Sequence, residues 1–345
     1  MKRSWVEVSL SRLEENFLAI RERLLPSTDV IAVVKADSYG HGSGQVAGRL
    51  QRCGVRQFAV ATLEEAAALR RSLPEGKILV FGGCLPGEES SFRELDLTAA
   101  VFDLSAVPPD VKVELKVDTG MNRLGVPWQR IKEALPGLGA RLTGLFSHLA
   151  CAEGDPEFTR TQIRRFEEAT AGLPYPKHIA NSAGLLFPEA HLDAVRPGLM
   201  LYGVSPCAAL DCVKPILSWK SRILSIRTVP KGESIGYRRS FQTQRDSLIG
   251  VLSTGYADGY NRLLSNRGEV KVRDRLVPVV GEVSMDFITV DLTGLPDVRV
   301  GETAVLLEAE KDSPLSVQSL AGALGTIPYE VLTSISARVE RVYLP

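Results

Sequence analysis

Hydrophobic and polar positions follow two different rhythms along this chain. Up to about residue 210, short apolar runs alternate with segments whose apolar residues lie three or four apart. The runs are VIAVV (30–34), QFAVA (57–61), KILVF (77–81), LTAAVF (97–102), KVELKV (112–117), LTGLFS (142–147), KHIA (177–180) and LDAVR (192–196). Runs of this kind read as strands buried on both faces. Between them the period becomes helical. Leu10, Leu13, Phe17, Ile20 and Leu24 form one stripe before the first run. TLEEAAALRR opens with Thr62 and Glu65 in the spacing of a capping box. DPEFTRTQIRRFEEAT carries Pro156 near its start, where proline suits the first helical turn. Eight strands alternating with helices predict an α/β fold, a (β/α)8 TIM-type barrel. The strand count alone also admits a doubly wound open sheet.

From about residue 217 the rhythm changes. SRILSIRTV, SLIGVLSTG, GEVKVRDRLVPVVGEV, DFITVDL and ETAVLLEA are strand-like and separated by turn residues. The one helical pattern there is a short one near SVQSLAGAL. A mostly β C-terminal domain is expected, built as a small barrel or sandwich. The expected division is a barrel over residues 10–216 and a β-rich domain over 217–345. Residues 1–9 would add a strand to the latter, and ALDCVKP (209–215) is the expected boundary.

Composition removes several functions without naming one. The 41 basic and 41 acidic residues cancel, so nothing favours nucleic acid or an anionic membrane as a partner. No run reaches the roughly 18 apolar residues of a membrane span. The N-terminal MKRSWVEVSLSRLEENF has no continuous apolar region of a secretory signal. The five cysteines, Cys53, Cys84, Cys151, Cys207 and Cys212, are odd in number and irregular in spacing. They predict a reduced, cytoplasmic setting, with no zinc-type CxxC spacing and no metal.

In a barrel of this type, chemistry gathers at the C-terminal ends of the strands. Just past the first strand stand Lys35 and Tyr39. The fifth ends in KVDTGMNRLG, with Lys116, Asp118 and Arg123. His148 follows the sixth, Asn181 and Ser182 the seventh, Arg196 and Gly198 the eighth. ANSAG supplies a hydroxyl and free amides at a helix start, and RPGL a glycine that lets backbone approach an anion. Loops after strands seven and eight are the usual phosphate site of such barrels. A lysine on the same rim can form a Schiff base. Together these features suggest pyridoxal phosphate. Each residue alone has a plainer reading. Lys35 could be a solvated charge, His148 a hydrogen-bonded structural residue, NSAG an ordinary helix start and Arg196 a surface ion-pair partner.

The motifs VVKADSYGHG, KVDTGMNRLG, SHLA, ANSAG, VRPGLMLYG, IGYRRSF, STGYADGY, GEVSMDFITVDL and TIPYEVLTSISARVERVY run in order from residue 34 to 343. In this combination the chain closely resembles the alanine racemase family of fold-type III pyridoxal-phosphate enzymes. The resemblance implies a role for each matching residue. Lys35 becomes the Schiff-base lysine. Tyr39, Ser182, Gly198, Leu199 and Tyr329 match the phosphate-binding set, beside Asn181. Arg196 matches the residue facing the pyridine nitrogen, with His148 orienting it. An arginine keeps its proton, so it disfavours protonation of the ring and favours racemisation over transamination. Tyr237 matches a second acid–base group acting on the opposite face of the substrate from Lys35. Tyr237 would serve the L-enantiomer and Lys35 the D-enantiomer. Arg123, Tyr256, Met285 and Asp286 match the substrate-binding segment. Lys116 matches a lysine carbamylated in several members, the alternative being an unmodified lysine paired with Asp118.

The implied activity is interconversion of L- and D-alanine, supplying D-alanine for peptidoglycan, by a head-to-tail homodimer with shared sites. Three residues depart from the family pattern. Arg238 stands beside the base tyrosine where a small residue is usual, Asn122 stands where glycine is common, and Ser284 replaces a cysteine of some members. Competing readings are a racemase of serine or another amino acid, a fold-type III decarboxylase, and a non-enzymatic pyridoxal-phosphate carrier. Tyr237 and the SMD segment argue against the decarboxylase, and a full second domain against the carrier.

Overall fold

The eight apolar runs of the first half become eight parallel strands that close on themselves. In the computed structural model, which describes residues 2–295 and 297–345, they span Asp29–Val33, Gln57–Val60, Lys77–Val80, Leu97–Val101, Lys112–Asp118, Leu142–Phe146, Lys177–His178 and Ala194–Val195. Each pairs in parallel with the next, and Ala194 pairs with Asp29 to complete the ring. Closure explains the continuous apolar runs: no strand has an edge or a solvated face. An open doubly wound sheet is thereby excluded.

Alternation along the strands decides what enters the barrel. Ile31, Ala59, Leu79 and Ala194 pack together as one layer, with Phe81 against them. Counting by two from these residues reaches Lys35 and Arg196 at the C-terminal rim. On the fifth strand the same alternation links Glu114 and Lys116. Gly144 opposite is small for a reason, since a Cβ there would stand 3.1 Å from the Glu114 carboxyl carbon.

The helices between strands follow their caps. Asp155 accepts from the Phe158 amide at 2.9 Å and starts Pro156–Thr170. Leu13, Phe17 and Ile20 of Leu10–Arg21 are buried, as their spacing requires. The chain divides into two compact units, Leu13–Val213 and the pair Met1–Arg12 with Lys214–Pro345.

The second unit is organised around one long strand, Leu217–Val229, whose first residues alternate buried and half-buried. It pairs antiparallel with Ser4–Ser9, Ser247–Leu252 and Thr303–Leu307. Ser4–Ser9 also pairs in parallel with Glu340–Leu344. The strands form one branched eight-stranded sheet and a separate two-stranded ribbon, Ser234–Ile235 with Phe241–Gln242. Two short helices accompany them. Val317–Leu324 lies in the SVQSLAGAL pattern, while Pro328–Ser334 was too short to show a period. Among the described residues, no helix is long and apolar enough to cross a membrane.

Candidate active site

The chain leaves the first barrel strand in an unusual way. Ala36, Asp37, Ser38 and Tyr39 all take φ of 50–55° and ψ of 41–50°, a left-handed turn without a glycine. Left-handed backbone costs roughly 1–2 kcal/mol per ordinary residue, so surrounding contacts must hold it. The Ser38 amide donates to Val34 O at 2.9 Å and the Ser43 amide to Asp37 Oδ1 at 2.7 Å. Tyr39 and His41 both pack on the Tyr202 ring, at 4.9 and 4.7 Å between centroids. Tyr202 in turn donates to Val33 O at 2.8 Å. The turn carries Lys35 at its start and a buried Tyr39 at its end.

On the same rim the loops after strands seven and eight are tied together. Ser182 Oγ accepts from the amides of Gly198 at 3.1 Å and Met200 at 3.4 Å. Asn181 Oδ1 accepts from the Gly184 amide at 2.9 Å and fixes the loop. A Cβ on Gly198 would stand 2.6 Å from the Tyr39 hydroxyl. Only glycine lets the Tyr39 hydroxyl come that close to the backbone. Leu199 opens a short 3-10 turn, so its amide lacks an acceptor within that turn.

Cations dominate the electrostatics. Burial lowers the Lys35 pKa, helped by Arg123 and opposed by Glu65. Burial, then Arg123 and Arg196, bring buried Lys116 down to about 8 against the pull of Asp118. Lys116 Nζ makes no hydrogen bond or ion pair among the described residues. Asp118 is committed elsewhere, its Oδ1 accepting from the amides of Gly120, Met121 and Asn122 at 2.9–3.1 Å. Asn122 has φ of 55°, which explains how asparagine can replace a glycine there.

Arg196 is buried above Phe146, its guanidinium 5.5 Å from the ring centre. It donates to Ser147 O at 2.5 Å and to Ile179 O at 3.1 Å. His148 Nδ1 lies 3.4 Å from it, but His178 Nδ1 is closer, at 2.5 Å. An arginine can only donate, so His178 Nδ1 must accept. The proton is then on Nε2, facing Glu114 Oε2 at 2.9 Å. Burial lowers both histidines, with His148 brought to about 3, next by Arg196. Arg196 falls only to about 10 and stays charged near neutrality.

The second unit exposes its own set of residues. Tyr237 is 71% exposed at the tip of the two-stranded ribbon. Arg238 beside it has φ of 58°, the physical reason a small residue suits this position. The segments carrying Tyr256 and Met285 meet through their backbones: the Tyr256 amide donates to Ser284 O and the Ala257 amide to Met285 O, both at 3.0 Å. A Cβ on Gly255 would fall 2.3 Å from Met285 O, so glycine permits this approach. Arg338 holds Asp286 at 2.9 Å and Asp258 at 3.2 Å. Ser284 closes a turn by donating to Phe287 O at 2.9 Å. Tyr329 stands at the start of the helix Pro328–Ser334.

The alanine racemase N-terminal domain family matches residues 8–206, and the alanine racemase C-terminal domain family matches residues 216–343. The chain belongs to the alanine racemase family. It is 40% identical to the alanine racemase of Sorangium cellulosum, over 99% of each chain. With that of Syntrophobacter fumaroxidans it shares 39% over 97% of this chain and 96% of the relative. Among solved structures, the alanine racemase of Streptomyces lavendulae matches all of this chain and 98% of its own, with a TM-score of 0.90 and 32% identity. That of Bartonella henselae, with covalently bound pyridoxal phosphate, matches at 0.89 and 30% over the whole of both chains. Membership carries the activity, pyridoxal-phosphate-dependent interconversion of L- and D-alanine.

The alanine racemase cofactor can be tested against the residues present, and they fit. The Tyr39 and Ser182 hydroxyls beside Gly198, with the Leu199 amide that has no acceptor within its turn, suit a phosphate. Burial, and then neighbouring cations, lower the pKa of Lys35 and Lys116, so a bound dianion would be welcome beside them. Two contributors escaped the sequence reading. His178 and Glu114 are polar residues inside apolar strands, and that placement was the available signal. Gln162 was also passed over. Its Nε2 donates to His148 O and Thr119 Oγ1, at 3.1 and 3.2 Å, and so joins the loops after strands five and six.

Proposed function

We propose that this chain racemises alanine with Lys35 and Tyr237 as acid–base groups on opposite faces of the substrate Cα. The observation that carries the reading is the barrel rim itself, where Lys35, the Tyr39 hydroxyl packed on Gly198 and charged Arg196 occur together. Tyr39, Ser182, Asn181, Gly198, Leu199 and Tyr329 would hold the phosphate of the cofactor, and Lys35 its aldehyde carbon. Bound there, pyridoxal phosphate would acidify the Cα proton by accepting the electron pair left behind.

The remaining work belongs to the chain. Lys35 Nζ, with its lowered pKa, takes or returns the Cα proton on one side, and the Tyr237 hydroxyl acts on the other. Arg196, charged near neutrality, would face the ring nitrogen of the cofactor and disfavour its protonation. His178, locked in one tautomer by Glu114, holds the guanidinium in place from one side, with His148 on the other. Arg123, Tyr256 and the Met285 amide would seat the substrate carboxylate, with Asp286 of the same segment held by Arg338. The decisive assay is a panel of L-amino acids scored for D-product by chiral chromatography. D-alanine is the expected dominant product. Dominant D-serine would transfer the assignment to the alternative racemase, and carbon dioxide release to the decarboxylase.

The proposal extends to two copies of the chain sharing sites head to tail. Tyr237, Met285 and Phe287 are exposed to solvent on the β-rich unit, and two-fold symmetry supplies opposite faces of one site from opposite subunits. Five free cysteines suit a reducing, cytoplasmic setting. Peptidoglycan supply would be the use of the product.

Carbamylation of Lys116 is also proposed. An amine with a pKa of about 8 is partly neutral at physiological pH, and only the neutral amine adds carbon dioxide. The product is an anion, able to pair with Arg123 where the free ammonium is repelled. Labelled bicarbonate should give a carbamate carbon resonance that is absent from Lys116→Arg. No resonance in the wild-type protein would leave Lys116 unmodified.

A further inference from the structure

Glu65 does something other than its sequence pattern suggests. In a capping box the glutamate reaches back to the amide of the cap residue. Here Thr62 Oγ1 accepts from the Glu65 amide at 3.3 Å, but the carboxylate turns away. Its Oε2 accepts from the Ala61 amide and its Oε1 from the Ala36 amide, each at 2.8 Å. Ala61 follows the second barrel strand. Ala36 directly follows Lys35 and is the first residue of the left-handed turn. A carboxylate offers an acceptor at both positions, whereas an amide side chain offers an acceptor at one and a donor at the other.

We propose that Glu65 is a positioning residue for the cofactor lysine, clamping the amide after Lys35 to the end of the second strand and placing a negative charge beside the lysine. The inference rests on the assignment of Lys35 made above. Without the clamp, the turn that carries both Lys35 and Tyr39 loses its anchor at its first residue. The other groups facing Lys35 are Arg123, Lys116 and His148, and none is acidic. Removing the Glu65 charge therefore favours the neutral lysine.

The test compares Glu65→Gln with Thr62→Ala in the holoenzyme. Thr62→Ala weakens the same helix cap but leaves the clamp intact. Cofactor release is followed by the loss of visible absorbance in the presence of an aldehyde scavenger. Release from Glu65→Gln should be on the order of tenfold faster, the scale set by losing one charge-assisted hydrogen bond. Release from Thr62→Ala should match the wild type. The pH at which D-alanine consumption rises should also move down in Glu65→Gln, because the Lys35 amine loses a proton more readily. Glu65→Asp keeps the charge but cannot reach both amides, so it should speed release while leaving the pH profile near that of the wild type. Wild-type release from Glu65→Gln, or equal acceleration in Thr62→Ala, overturns the proposal. Borohydride reduction of the wild type separates the two layers. A pyridoxyl mark away from Lys35 removes the site assignment itself, whatever the variants do.

Discussion

Lys35→Ala is expected to abolish racemisation in both directions while leaving the barrel folded. Lys35 is proposed for two tasks, covalent attachment of the cofactor and proton transfer at Cα, so its loss removes both. The side chain is half-buried, makes no hydrogen bond or ion pair among the described residues, and carries a charge that burial and Arg123 disfavour. Nothing structural depends on its ammonium group, so truncation should not cost stability. Thermal unfolding within a few degrees of the wild type, together with no detectable D-alanine, is the expected pair of results. Borohydride treatment of the wild type should mark the peptide containing Lys35. A mark on Lys116 would mean that the wrong lysine of this cationic rim has been chosen.

Tyr237→Phe is expected to impair exchange of the Cα proton of L-alanine by about 10²–10⁴-fold, the usual worth of a positioned acid–base group. D-alanine, served by Lys35, should lose far less when exchange into deuterated water is read before the enantiomers interconvert. Equal losses would give Tyr237 a structural role. The tyrosine is strongly exposed on the β-rich unit, so removing one hydroxyl should leave the fold intact.

The same variant tests the shared site. The Lys35→Ala and Tyr237→Phe proteins, each inactive or impaired, are partly denatured together and reassembled with cofactor. If Lys35 of one chain works with Tyr237 of the other, each mixed dimer has one doubly damaged site and one intact site, and activity returns. If each chain builds its own site, every site stays damaged and activity does not return despite confirmed exchange of subunits.

Periodicity and chemistry make much of this protein legible in its sequence. The barrel strands could be read because each is buried on both faces and so is apolar without interruption. Lys35 and Arg196 stood out because a charged residue directly after such a run lies at the rim. Asp118 could be flagged as a polar residue just past the fifth strand, and Gly198 because a glycine lets backbone approach an anion; Asn122 stood out only against the family motif.

Other features depend on contacts between residues far apart in the chain. Glu114, His178 and Arg196 lie on three different strands, and only closure of the barrel brings them into line. The sequence pointed to His148 as the partner of Arg196; the shorter contact belongs to His178. Glu65 looked like an ordinary cap because its local spacing is that of one. Its carboxylate is diverted because the neighbouring strand offers the Ala36 amide across 29 residues. The left-handed turn at Ala36–Tyr39 has no glycine to announce it. Its conformation comes from the Tyr202 stack and the Glu65 clamp rather than from local preference. The sequence by itself determined which segments could be strands, which residue types could carry the chemistry and where backbone needed glycine. Only the tertiary structure decided which side chains meet, because hydrogen bonds and charge coupling act over a few ångströms of space and not along the chain.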